Sequence, residues 1–261
     1  MNMPRYIIRL ADIPFSKDFI STLKSRGVIL SRRDVFGRSA ICINHGNAKP
    51  ITIRDNVKKF ILINKPEAIK YCSNKRRNCK MLKDFYPTTY SNVNEVDRYP
   101  VVVKPLHGFQ GVGIEKIESR NELDSYISRH NSNKFLIQEC IPMKFEYRFN
   151  VLDRDIFQIS KKQLIEGWNG KFKFTFRSLG TDAKISNKFF NYVKSVIEEF
   201  HSQVGHDLGS YCIDVMKGKD KKYYLSEINS GYGIGQFTLE KLLYLLNEKY
   251  DGGELDNYRV K

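Results

Sequence analysis

Two short apolar runs near the C-terminus constrain the fold of this chain more than any other feature. Residues 211–216 read Tyr-Cys-Ile-Asp-Val-Met, and residues 223–229 read Tyr-Tyr-Leu-Ser-Glu-Ile-Asn, with a Gly-Lys-Asp turn segment at 218–220. Runs rich in β-branched and aromatic residues on either side of such a turn predict the two strands of a hairpin. Side chains alternate faces along a strand, so Glu227 and Asn229 are expected on one face.

This predicted hairpin collects oxygen-bearing side chains. If its strands pair in their natural register, Asp214 lies beside Glu227 and Asn229. Two carboxylates and an amide are hard oxygen ligands, which Mg²⁺ accepts when phosphate oxygens complete its octahedron. Short acidic patterns also recur by chance, so a solvated hairpin with ordinary acidic residues is the alternative.

A glycine-rich loop is the second informative segment. The run Val-Val-Val-Lys at 101–104 reads as a buried strand that ends in Lys104, and Gly108, Gly111 and Gly113 follow before a second strand through Ile117. Glycines let backbone amides approach an anion closely, and a lysine adds a point charge for phosphate. A strand follows the loop, so it is neither a P-loop nor a dinucleotide fingerprint. A glycine-rich hairpin whose lysine merely extends to solvent is the alternative.

Taken in order, these segments resemble the ATP-grasp superfamily, in particular its carboxylate–amine ligases. The ribosomal-protein glutamate ligases, the spore-coat-associated ATP-grasp proteins and the phage-encoded amide-forming ligases are the most similar, over roughly Asn74 to Lys249. The resemblance implies an α/β (α+β) fold in which two α+β lobes grip ATP. It implies a small N-terminal α/β domain (1–70) and an ATP-grasp domain (71–250), divided into a nucleotide-gripping lobe (71–142) and a metal and catalytic lobe (143–250). Residues 251–261 are polar, and we expect a frayed tail there.

The resemblance also implies where ATP and metal bind. Lys75 and Lys104 match phosphate-contacting lysines, and the loop from His107 to Gly113 matches the one that closes over the triphosphate, with contacts from His107, Gly108, Gly111 and Gly113. Glu139 and Ile141 match the hinge that binds adenine through its main chain. Asp214, Glu227 and Asn229 match the ligands of Mg²⁺, with two ions expected.

Catalytic roles follow from the resemblance in the same way. Arg148 ends a Glu-Tyr-Arg segment where the family usually has Asp-x-Arg, and it is expected to hold the transferring phosphoryl group. Lys161 and Arg177 match basic residues that face this group and the acceptor carboxylate. The sequence after Arg177 lacks the family's Asn and paired glycines.

The implied activity is an ATP-dependent carboxylate–amine ligase. The γ-phosphoryl group passes to a carboxylate, and an amine then attacks the acyl-phosphate to leave an amide. The expected partners are ATP and carboxylate- and amine-bearing substrates, an acidic peptide or protein among them. A kinase reaction, a catalytically silent ATP-binding module and a basic nucleic-acid-binding protein remain as alternatives.

Composition agrees with an enzyme of the cytoplasm. The chain of 261 residues is 41% hydrophobic, and no apolar stretch approaches the length of a membrane span. Its five cysteines are scattered, which favours reduced thiols. The net charge of +15 suits an acidic substrate or a nucleic acid, although acidic residues are interspersed with most of the lysines.

Periodicity predicts the remaining elements. Strands are expected at 4–10, 39–44, 60–64, 156–160, 163–165 and 172–177, and helices at 15–26, 66–85, 187–204 and 238–249.

Overall fold

Three main sheets follow one another along the chain. The structure is a computed structural model that describes residues 6–10, 17–31, 35–107, 113–164, 174–178, 185–232 and 236–260. Within these residues, two four-stranded sheets precede a five-stranded sheet, and a two-stranded sheet accompanies the first.

The N-terminal sheet is parallel. The first six strands are β1 (Tyr6–Leu10), β2 (Val28–Ser31), β3 (Val35–Phe36), β4 (Ala40–His45), β5 (Thr52–Ile53) and β6 (Phe60–Ile63), and helix α1 (Lys17–Ser25) joins β1 to β2. The sheet has the order β2-β1-β4-β6, while β3 pairs with β5. Strands β4 and β6 are buried along their whole length, which explains their continuous apolar sequence. The predicted strands and helix of this region are confirmed where they lie within the described residues.

The segment expected to form one helix at 66–85 instead forms two. Helix α2 spans Pro66–Ser73, with its proline in the first turn, and α3 spans Lys75–Met81. Between them Asn74 has an extended backbone (φ −111°, ψ 95°), and its side chain accepts a hydrogen bond from the Arg77 amide. The prediction of a single helix was wrong because Asn74 interrupts the helical backbone and caps a new helix. The break makes Lys75 the first residue of α3.

The second sheet is antiparallel. Its strands are β7 (Thr89–Tyr90), β8 (Val101–Pro105), β9 (Glu115–Ile117) and β10 (Phe135–Glu139), in the order β7-β10-β8-β9. Helix α4 (Arg120–Arg129) covers one face, where its Leu123 and Tyr126 share a core with Val103 and Ile137. Alternation turns Lys104 and its pairing partner Leu136 to the other face.

The third sheet carries the predicted hairpin. Its strands are β11 (Met143–Leu152), β12 (Asp155–Leu164), β13 (Phe174–Ser178), β14 (Ser210–Gly218) and β15 (Tyr223–Asn229), in the order β13-β12-β11-β14-β15. Helix α5 (Asn187–Val204), whose bounds match the prediction, packs on one face through Val193 and Ile197 against Ile213 and Ile228. The opposite face therefore carries the alternate residues of β11, β14 and β15.

The C-terminal segment is packed. Helix α6 (Gln236–Asp251) shares a core with the N-terminal sheet, and a 3₁₀ turn at Glu254–Tyr258 follows. Leu255 and Tyr258 are buried, and the Tyr258 hydroxyl lies 2.7 Å from the Asp153 carboxylate. The expectation of a frayed tail was wrong because one face of this polar segment carries two apolar anchors.

Two further properties bear on earlier expectations. Among the described helices, none has the length and apolar character that crossing a membrane requires. All five cysteines are free thiols, and four of them are buried.

Candidate active site

The β14–β15 hairpin brings the three predicted oxygen ligands onto one face. Asp214 pairs with Glu227 and Cys212 pairs with Asn229, without a register shift between these pairs. A shift follows only beyond Asp214. Residues directly opposite in a ladder share a face, and so do residues two apart, so Asp214, Glu227 and Asn229 form a compact donor set.

Asp214 is held by an arginine from the neighbouring strand. Arg148 lies opposite Asp214 in the β11–β14 ladder, and its Nε and Nη2 donate to Oδ1 and Oδ2 at 2.8 and 2.7 Å. Burial alone would lower the pKa of Arg148, but the Cys212 thiol and the Asp214 carboxylate raise it above its ordinary value. With 1% of its side chain exposed, Asp214 requires such a bidentate partner. Arg148, predicted to grip a phosphoryl group, therefore lies at the site and contacts Asp214.

A second ion pair crosses from α3 to the hairpin. The Lys75 Nζ lies 2.8 Å from Glu227 Oε1, and the side chains are 16% and 26% exposed. Because Asn74 starts α3 at Lys75, the helix break and the hairpin together determine this contact. Both carboxylates of the donor set thus face a cation.

Lys104 lies close to the same corner. Burial lowers its pKa, and the charges of Cys79, Glu227 and Glu146 oppose this effect while Lys75 adds to it. Glu146 is buried, with 4% of its surface exposed. Two lysines and two glutamates therefore interact between the second and third sheets, and a polyanion could compete for the lysines.

The structure describes both ends of the predicted loop, His107 and Gly113, and the predicted hinge. The His107 Nδ1 lies 3.1 Å from the Ser73 carbonyl oxygen at the end of α2. Gly113 has φ +75°, and a Cβ there would lie 2.8 Å from Pro105 Cγ, so this position requires glycine. Gly108 and Gly111 lie outside the described residues. In the hinge, the Glu139 amide donates to the Thr88 carbonyl at 2.9 Å, and Ile141 is 9% exposed.

Lys161 is not brought to the site. It pairs with Tyr147, one step from the Arg148–Ser160 pair, so alternation turns its side chain to the opposite face of the sheet. Its Nζ lies 3.8 Å from the centroid of the Phe145 ring. Arg177 pairs with Lys161 in the β12–β13 ladder, and its side chain lies outside what the structure describes.

The donor set fits magnesium better than a transition metal. Carboxylate and amide oxygens are hard ligands, and Mg²⁺ commonly takes one or two carboxylates together with substrate phosphates. Among the described residues, no cluster of three His, Cys, Asp or Glu side chains could hold a metal. A cation at this hairpin would therefore depend on the Asn229 amide and on phosphate oxygens.

Two features of the site were not anticipated from the sequence. Glu146 was read as a departure in the Glu-Tyr-Arg segment, whereas it is a buried charge that interacts with Lys104. The Lys75–Glu227 ion pair joins residues distant in sequence, so no local pattern could indicate it.

Comparisons with known proteins agree with this geometry. The family described as D-ala D-ala ligase C-terminus matches residues 69–245. A D-alanine–D-alanine ligase of Thermosipho africanus is 26% identical over 171 residues, which cover 60% of this chain and 45% of that protein. The chain spans about half the length of the curated relatives it matches.

Solved structures show the same fold. D-alanine–D-alanine ligase from Bacillus anthracis complexed with ATP superposes with a TM-score of 0.61 at 15% identity, covering 90% of this chain and 88% of that one. ATP-grasp ligase PsnB complexed with minimal precursor gives a TM-score of 0.50 at 19% identity, covering 67% and 57%. The predicted ATP-grasp fold is confirmed, and ligases of this fold use ATP and magnesium. The chain belongs to the family defined by the C-terminal domain of D-alanine–D-alanine ligases, within the ATP-grasp ligases.

Proposed function

We propose that the protein is an ATP-dependent carboxylate–amine ligase that forms an amide bond. One observation carries the proposal: Lys75 pairs with Glu227 and Lys104 interacts with it electrostatically, on the hairpin face that also carries Asp214 and Asn229. Cations for a triphosphate and hard oxygen donors for its counterion are both required for phosphoryl transfer, and here they adjoin.

ATP would bind across this corner. Lys75 and Lys104 would contact its phosphates, and the loop containing His107, Gly108, Gly111 and Gly113 would cover them. The Glu139 amide already bonds to Thr88, so adenine recognition would use the Glu139 carbonyl and the Ile141 amide. Because ATP is the co-substrate, we also propose a cytoplasmic location.

Asp214, Glu227 and Asn229 would hold Mg²⁺, with two ions expected. When bound, the metal offsets negative charge on the β- and γ-phosphates. Arg148 donates two hydrogen bonds to the Asp214 carboxylate, which fix its orientation and offset the cost of burying its charge.

The substrates would be a carboxylate and an amine. Transfer of the γ-phosphoryl group turns the carboxylate into an acyl-phosphate, whose phosphate can leave when the amine attacks the acyl carbon. The chain's contribution is positioning and charge neutralisation, together with the exclusion of water by the loop. Arg177 stays a prediction for the acceptor carboxylate. The relatives' names indicate D-alanine for one ligase and a precursor for another, so amino acids and peptides are the first substrates to try.

The proposal is tested by incubating the protein with ATP, Mg²⁺ and a panel of amino acids and acidic peptides. We expect ADP and phosphate to form together only with a productive substrate pair, and mass spectrometry to detect the amide. ADP without free phosphate would indicate a kinase, and ATP binding without ADP would indicate a silent module. Glu227→Gln is the matched control. It removes a proposed metal ligand while preserving the shape of the side chain, so it should form little ADP.

A further inference from the structure

A basic groove lies beside α3. It has a volume of about 780 Å³ and is bounded by α3 with the following turn, by residues 87–94 and by residues 132–137. None of the predicted ATP, metal or catalytic residues lines it. The groove therefore shares no residue with the predicted ATP, metal and catalytic positions.

The charge of the groove has one sign. Arg76, Lys80 and Lys83 form one wall, and no Asp or Glu is among the described residues that line it. Arg76 donates through Nη2 to the Phe135 carbonyl at 3.0 Å, which fixes one side of the groove. Lys80 and Lys83 are exposed, and neither forms an ion pair within the described part of the chain. Glu95, close by in sequence, accepts a hydrogen bond from the Ser91 amide.

The remaining walls suit a peptide better than a nucleic acid. Hydroxyl and amide side chains also line the groove. Strand β7 is an edge of its sheet, since among the described strands only β10 pairs with it, and an edge strand can add an extended peptide. The two aromatic residues of the lining, Tyr90 and Phe135, are 7% and 4% exposed, so they offer no ring face for base stacking.

We propose that this groove binds an acidic, extended segment of a peptide substrate. The choice of a carboxylate-rich substrate rests on the proposed ligase function. Helix α3 lines the groove and also supplies Lys75 to the site, while β10 runs from Phe135 in the groove to Glu139 at the hinge. Five strand residues span about 15 Å, so a segment held here can extend a reacting group into the cleft. The groove recruits the substrate, and the cleft performs the reaction.

The test measures binding by fluorescence anisotropy. The probe is a labelled peptide of alternating glutamate and serine, and a peptide with glutamine for glutamate is its control. The variant Lys80→Glu/Lys83→Glu reverses the groove, while Lys58→Glu/Lys188→Glu reverses two exposed lysines elsewhere and gives the same net charge. We expect the groove variant to bind the acidic peptide at least about tenfold more weakly, and the control variant to lose less than about threefold.

Several results would overturn the inference. One is an equal loss of peptide affinity in the groove variant and the control variant. Others are equal affinity for the glutamate and glutamine peptides, or no binding of the acidic peptide to the unmodified protein. Tighter groove-dependent binding of a single-stranded oligonucleotide would also overturn it. The ligase assay separates this inference from the proposed function. If the groove binds the peptide but no ADP forms, only the proposed ligase activity is contradicted. If ADP forms but peptide binding does not depend on the groove, only the proposed peptide site is contradicted.

Discussion

At the scale of single residues, Asp214 and Glu227 share a face but differ in burial. Asp214 is buried against Arg148, whereas Glu227 is 26% exposed beside Lys75. We expect Asp214→Asn to lower the free energy of unfolding by about 3 kcal/mol, because it leaves a largely buried guanidinium without its charge partner. Glu227→Gln should lower it by less than about 1 kcal/mol. Urea denaturation measures both, and equal losses would contradict this division.

His45 predicts a loss of stability in acid. Its Nε2 lies 2.6 Å from the Tyr232 carbonyl oxygen, and within the described residues its Nδ1 has no hydrogen-bond partner. Burial lowers the pKa of His45 from 6.5 to about 4. Between about pH 4 and pH 6.5 the histidine is therefore protonated in the unfolded chain but neutral in the folded protein. Stability from this residue is complete above pH 6.5 and falls by about 3 kcal/mol as the pH drops towards 4.

The corresponding measurement is the free energy of unfolding at pH 7 and pH 5. His45→Gln should reduce the difference between the two values. His130→Gln, at an exposed histidine, should leave the difference unchanged. An undiminished acid effect in the His45 variant would assign the effect to other groups.

At the scale of elements, the break between α2 and α3 positions Lys75. Asn74→Ala removes the side-chain acceptor for the Arg77 amide, and we expect a loss of about 1 kcal/mol in stability. Because Lys75 starts α3, ATP affinity should also fall severalfold. Ser119→Ala removes the equivalent cap of α4, remote from the site, and should destabilise similarly without changing ATP affinity. Calorimetric titration with ATP distinguishes the two variants, and an equal ATP affinity in both would contradict the positioning role of Asn74.

Local sequence patterns predicted the presence of strands and helices better than helix boundaries or the sheet face that a side chain occupies. The hairpin register followed from strand periodicity and one turn, because both are encoded in neighbouring residues. The segment at 66–85 was wrongly predicted as one helix because apolar spacing continues through Asn74. Only the backbone conformation of Asn74 reveals the cap of a second helix. Lys161 was assigned to the site by its position along the chain, but a one-residue difference in a strand changes the face.

At the scale of the whole molecule, the sequence did not indicate the contacts between distant segments. Helix α6 follows the third sheet in sequence yet packs in the core of the first. Tyr258 and Lys249 bond to the β11–β12 turn through Asp153 and Asp155. Such contacts depend on the complete packing, which no periodicity encodes. The resemblance to a family supplied the candidate site, because a family pattern carries three-dimensional information that periodicity lacks.

The Lys75–Glu227 ion pair spans the cleft, and it should make nucleotide binding depend on magnesium in a diagnostic way. Glu227 pairs with Lys75, so without metal it would compete with phosphate for this lysine and repel a bound triphosphate. With metal, the same carboxylate would be a ligand, as we propose above. Glu227→Gln should therefore strengthen the binding of a non-hydrolysable ATP analogue in EDTA and weaken it in Mg²⁺, each by about tenfold. Calorimetric titration under both conditions measures the two affinities. Glu198 on α5 forms an exposed ion pair with Arg154, and Glu198→Gln should change neither affinity. Shifts of the same sign under both conditions would mean that Glu227 does not exchange Lys75 for a metal when the nucleotide binds.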